Sequence, residues 1–202
     1  FQSDKEMLKK TMRKFLKHIM FFLTPVIAIL LIAADPLVFI VLTSKLSPMF
    51  PYFQLLMLIG LFTPVRLMNN QLLNALGMVK TTFQLSLVRN SLIVMNIFVL
   101  SDYGILYLIF GELIISLVMI PFLTVITNRQ IGYSPSEQLK DLMIFFIAFL
   151  LALALGYVSS FYFSNNYLRI LIGITVPLTS YFLFQYFFNK SFFGDNIKLI
   201  QD

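Results

Sequence analysis

The chain has no cysteine, a single histidine and few charges. Without cysteine it can form neither a disulfide nor a thiolate metal site. With His18 as its one imidazole, and no paired carboxylates inside an apolar stretch, it lacks the clustered groups that covalent catalysis or a metal centre requires. Its glycines follow no phosphate-loop pattern, so no ATP-driven motor is expected in these residues. The expectation is a protein that is not an enzyme and uses no cofactor and no metal. Charged residues make up only 12% of the chain, against about 25% in a soluble domain.

What fills the space is apolar. Hydrophobic residues are 59% of the chain, and they gather into six stretches between residues 18 and 188. A helix needs about 20 apolar residues to cross about 30 Å of hydrocarbon with its backbone groups bonded internally. The pattern therefore predicts an all-α, polytopic membrane helix bundle. The six transmembrane helices are expected at about 18–41, 52–75, 83–100, 105–127, 142–162 and 167–188. Pro25 and Pro36 interrupt the first, and Asp35-Pro36 is expected to end its straight part. Ser101-Asp102-Tyr103-Gly104 is so short that the third and fourth helices should be antiparallel neighbours. In the next loop Ser134 is placed to cap a helix, with Pro135 at its first position.

Residues 1–17 contain Lys5, Lys9, Lys10, Arg13, Lys14 and Lys17 among Met7, Leu8, Met12, Phe15 and Leu16. That spacing suits a cationic amphipathic linker lying at an anionic membrane face. The chain opens without Met inside this charged segment, so it reads as the C-terminal piece of a longer protein. The net charge of +6 is not a nucleic-acid footprint, because the cations sit in short loops beside apolar spans. If residues 1–17 are cytoplasmic, Lys80, Arg89, Arg129, Lys140, Lys190 and Lys198 fall on or near the same side, and only Lys45 and Arg169 approach the other. Both ends of the chain, including a tail at 189–202, are then expected in the cytoplasm.

Polar residues inside spans mark the candidate site. In PVRLMNNQLLNALG, Arg66, Asn70 and Asn74 recur every four residues and share one stripe, with Asn69 and Gln71 beside them. A cation near mid-membrane costs about 2.5–3.5 kcal/mol on insertion scales, so it should face protein or a watery cavity. Either Arg66 snorkels or pairs with an acid while the amides join helices, or the stripe lines a cavity. Interhelical polar contacts average about 0.6 kcal/mol, which offsets five polar groups poorly and favours the cavity. Glu112 is the acid well inside a span, and Asn96 is expected within about one turn of its depth. Glu112 is either a binding point for a coupling cation or proton, or a neutral, hydrogen-bonded group. Arg89 is expected to snorkel to the cytoplasmic interface, with phosphate capture as the alternative.

The order of the segments FQSDKEMLKKTMRKFLKHI, TPVIAILLIAADPLVFIVL, FQLLMLIGLFTPVRLMNNQLLNALGMVK and GYSPSEQLKDL resembles the C-terminal part of polysaccharide flippases. These belong to the multidrug/oligosaccharidyl-lipid/polysaccharide exporter superfamily. The resemblance implies that this bundle is one lobe of a two-lobe exporter in the bacterial cytoplasmic (inner) membrane, partnered by a missing N-terminal lobe of the same protein. It implies a lipid-linked oligosaccharide as substrate, carried on undecaprenyl pyrophosphate and flipped by alternating access for surface polysaccharide synthesis. Cavity arginines of related lipid flippases are implicated in meeting the pyrophosphate, and the resemblance carries only Arg66 into that role. The chain departs from the family at Thr43, Ser44 and Lys45, where a glycine and an aromatic residue often stand. A cation-coupled multidrug exporter of the same superfamily, and a non-transporting scaffold or transferase subunit, are the competing readings. The first favours an acidic, aromatic cavity, and the second requires acidic or histidine groups clustered at a membrane face.

Overall fold

Six helices account for nearly all of the computed structural model, which describes residues 2–42, 49–162, 165–190 and 192. They are α1 (Gln2–Leu42), α2 (Phe50–Ala75), α3 (Val79–Leu100), α4 (Ile105–Ile131), α5 (Pro135–Phe161) and α6 (Asn166–Phe188). No strand occurs among the described residues. All six are long and apolar enough to cross a membrane. Lys45 and Lys198, and with them most of the tail assigned to 189–202, lie outside the described residues, as does the side chain of Asp35.

The first boundary drawn from sequence, between 17 and 18, does not break the helix, although the two compact units of the chain divide there. α1 is one helix through the junction at 17 and 18, and it continues past Pro25 and Pro36 to Leu42. The chain divides into two compact units, one of residues 1–17 and 51–141 and the other of 18–50 and 142–202.

In the first unit the connections are short and chemically specified. α2 ends at a Schellman turn: Met78 N–H donates to Leu73 O at 2.9 Å, Gly77 N–H donates to Asn74 O at 3.0 Å, and Gly77 takes the left-handed conformation at φ +77°. Only Met78 then separates this turn from α3. A 3₁₀ turn at Ser101–Tyr103 and Gly104 at φ +101° reverse the chain into α4. Asn96 packs over the bare Cα of Gly111 and donates to Leu108 O at 3.0 Å, which fixes the register of the α3–α4 hairpin. α5 starts at Pro135, earlier than the 142 expected. Ser134 and Glu137 form a reciprocal capping box, with Glu137 N–H to Ser134 Oγ at 3.2 Å and Ser134 N–H to Glu137 Oε2 at 3.0 Å.

The start of α1 belongs to this unit's core. Met12 is buried with Leu72, Ile131 and Tyr133. Three of its cations are bonded to protein: Lys9 to Glu137 at 2.9 Å, Arg13 to Asp141 at 2.7 Å and Lys17 to Asp141 at 2.9 Å. The segment expected to lie on a lipid face is therefore docked on protein along that stripe. Its apolar spacing suits either surface, and the deciding acids lie more than 120 residues away.

In the second unit, Met20, Phe21, Thr24, Ala28, Leu31 and Ile32 form the buried stripe of α1, at helical spacing. Phe145, Ala148, Phe149 and Ala152 form that of α5. Gly156 sits against Ile32 and Pro177 with no room for a Cβ, so the three helices approach closely there. The phenols are tied to α1 backbone, Tyr181 to Phe21 O at 3.1 Å and Tyr157 to Leu31 O at 3.2 Å.

Many apolar side chains remain on the outside. On α3, Phe83, Val94, Met95 and Phe98 are exposed, and Thr82 is its one buried residue. Such a surface suits lipid, whose tails are as apolar as leucine.

Candidate functional site

The α2–α3 hairpin puts two polar stripes face to face. Counting about 1.5 Å per residue from the turn, Arg66 lies about 14 Å up α2 and Arg89 about 15 Å up α3, so the two guanidinium groups start from the same level. Asn70 follows Arg66 by one turn on α2, while Ser86 and Asn90 are one turn apart on α3. These five polar residues line a cavity of about 180 Å³, closed on its apolar side by Leu85, Met119 and Leu123. That is more than ten times the ~10–15 Å³ that admits one water.

The charges around it do not balance. Arg89 donates through Nη2 to Glu112 Oε1 on α4, and the Ser116 hydroxyl donates to the same oxygen at 3.4 Å. The Arg89 Nε and Glu112 Oε2 atoms are buried without a hydrogen-bond partner among the described residues. Arg66 feels the charge of both Arg89 and Glu112 and lies beside Thr63, Ser116 and Ile120. Its guanidinium makes no hydrogen bond or ion pair with a described residue. Two cations and one carboxylate leave this part of the span with one positive charge in excess.

The structure sorts the residues singled out from sequence. Arg66 and Asn70 share the cavity. Asn74 does not join them: its Oδ1 accepts the Thr82 hydroxyl at 2.5 Å, beside the turn that ends α2. Asn69 is buried away from the cavity, bonded to Val65 O at 2.7 Å and Gln138 at 3.2 Å. Gln71 is exposed. Asn96 and Glu112 are not brought together as a pair, because Asn96 spends its amide on Leu108 O and Glu112 faces Arg89. Arg89, expected to snorkel to the interface, instead lines the cavity and bonds Glu112 on α4. Ser86 and Asn90 are the lining residues that sequence reasoning missed, and Arg89 figures there only as an interfacial cation with phosphate capture as the alternative. Their signal is the spacing Ser86–Asn90, which mirrors Arg66–Asn70 on the preceding helix.

A second polar cluster stands apart. Asp141 accepts from Arg13 Nε at 2.7 Å, Arg13 Nη2 at 2.8 Å and Tyr133 Oη at 2.8 Å, and also pairs with Lys17. Burial, and the carboxylate beside it, push the Tyr133 phenol well above its usual range, so it stays a donor. Every carboxylate oxygen here is taken up within the protein. Among the described residues no group of His, Asp and Glu is arranged to hold a metal ion.

Against known proteins, residues 1–51 match the family model described as polysaccharide biosynthesis protein. No curated protein and no solved structure matches the chain.

Proposed function

We propose that this chain forms one lobe of a membrane transporter that moves a lipid-linked oligosaccharide with an anionic pyrophosphate head across the cytoplasmic membrane, for surface polysaccharide synthesis. The observation that carries this reading is the guanidinium of Arg66, without a hydrogen-bond or ion-pair partner among the described residues, in a polar cavity between helices long and apolar enough to span a membrane. A cation inside a span costs about 2.5–3.5 kcal/mol, and binding an anion there offsets that cost. The family match at residues 1–51 supports the polysaccharide branch of chemistry. The excess positive charge of Arg66, Arg89 and Glu112 favours an anion over the cationic substrates of a drug exporter.

A bulky anionic head cannot cross hydrocarbon unaided. A groove offering guanidinium and amide donors lowers that barrier, and its modest charge permits release. Two lobes rocking about such a site give alternating access. The excess of loop cations on one side supports a cytoplasmic location for both ends of the chain, with Lys80 and Lys140 on that side.

The test is Arg66→Ala in the intact protein, scored as surface polysaccharide per unit of transporter in the membrane. Polysaccharide falls at unchanged abundance, because removing a mid-span cation eases insertion. Arg66→Lys keeps part of the activity, since a point charge still attracts phosphate without the guanidinium fork. Full activity of the Ala variant, or parallel loss of activity and abundance, reduces Arg66 to a structural residue.

A further inference from the structure

The two arginines that meet a carboxylate in the first unit do so differently. Arg13 closes on Asp141 through both Nε and Nη2, at 2.7 and 2.8 Å. Arg89 reaches Glu112 through Nη2 alone, while its Nε and the second Glu112 oxygen have no partner among the described residues. The first contact uses the guanidinium fork in full. The second leaves half of it unused. Neither partner of the second pair is sealed away, with side-chain exposures of 21% and 23%. Arg89 lines the cavity wall and Glu112 does not, so the carboxylate meets the guanidinium from outside the cavity.

We propose that Glu112 is an internal stand-in for the substrate's anion: it holds Arg89 while the cavity is empty, and a phosphate-class group entering the cavity takes Arg89 from it. The proposal rests on the anion-site reading above and adds Arg89 and Glu112 to it as a specificity-determining residue and its competitor. A phosphate oxygen pair fills a guanidinium fork that the carboxylate fills only in part, so the exchange improves the geometry at Arg89. The charges around the cavity are Arg66 on α2, Arg89 on α3 and Glu112 on α4. When it is empty, the acid offsets one of two cations that the hydrocarbon disfavours. When an anion arrives, the acid competes with it, which keeps affinity low enough for release on the other side.

The experiment measures radiolabelled inorganic pyrophosphate bound by equilibrium dialysis to the intact protein in phosphatidylcholine nanodiscs. Glu112→Gln keeps the shape and removes the competing charge, and it binds about tenfold more tightly than the unaltered protein, the scale of coupling between close charge pairs. Arg89→Gln combined with Glu112→Gln loses that gain. Glu112→Asp, which keeps the charge on a shorter arm, falls between the unaltered protein and Glu112→Gln, and it carries the test if Glu112→Gln does not fold. A further arm places a polyprenyl pyrophosphate in the disc. Displacement of the label by that lipid assigns the site to a lipid headgroup, and a label left bound assigns it to free pyrophosphate; both support the exchange. Binding by the unaltered protein that Glu112→Gln and Glu112→Asp leave unchanged or weaken overturns the stand-in role and leaves the anion site standing. Absence of binding in every variant overturns the anion site and the proposal with it.

Discussion

Arg66 and Arg89 start from one level of the α2–α3 hairpin yet were not equally visible in the sequence. Arg66 stands in a run of amides at four-residue spacing, and its cavity partner Asn70 is legible from that period alone. Arg89 stands beside Asn90 and Ser91, but its four-residue neighbours on the helix are the apolar Leu85 and Ile93, so no polar stripe of that period runs through it. Measured from the start of α3 at Val79, it stands about 15 Å along the helix, level with Arg66. Its pairing with Glu112, across 23 residues of chain, has no local signature. Asn74 shows the converse error, since helical spacing alone extends the stripe to a residue that the turn at Gly77 diverts to Thr82. Another single-residue dependence lies at Gly111, whose missing Cβ makes room for the Asn96 amide. Gly111→Ala forces that amide aside, and overpacking of this kind costs about 1–3 kcal/mol. The expected outcome is a lower thermal unfolding midpoint in detergent; an unchanged midpoint shows that the hairpin has slack there.

At the scale of the element, the helices themselves were legible because a bilayer imposes a length and an apolar composition on each span. Where they meet the loops they were less so. α5 extends back to Pro135 because the capping box satisfies its first backbone donors, and charged residues Glu137, Lys140 and Asp141 continue the helix outside any apolar run. The same applies to α1, whose first turns were expected on a lipid surface and are held instead by Glu137 and Asp141. An amphipathic pattern specifies a stripe, and the partner of that stripe is set by residues far along the chain. Asp141 is the shared acceptor, so Asp141→Asn leaves Arg13 and Lys17 without a counter-charge and weakens docking of residues 2–17. Losing charge-assisted bonds of about 1.5–3 kcal/mol should open this segment about tenfold or more. Limited trypsin digestion reads this as faster cleavage within residues 5–17, and an unchanged rate indicates that Met12, Leu16 and the Lys9–Glu137 pair hold the segment without Asp141.

For the whole molecule, hydropathy identifies six helices long and apolar enough to cross a membrane, and the cation bias is the basis of the orientation proposed for them. Single cysteines are clean probes in a chain that has none of its own. At positions 80 and 140 they are expected to react only with membrane-permeant reagents in intact cells, and strong labelling from outside defeats the orientation. What the sequence could not convey is the balance of charge at the cavity, because that depends on α2, α3 and α4 converging in space. In the proposed function this convergence serves a lipid-linked anion, with Arg66 as the group that meets it. The most direct measurement is flipping of a fluorescent polyprenyl-pyrophosphate oligosaccharide by the intact protein in sealed vesicles, comparing the unaltered protein with Arg66→Ala at equal incorporation. The unaltered protein is expected to flip the lipid and Arg66→Ala to lose most of that rate, whereas equal rates for the two proteins exclude Arg66 as the group that meets the anion.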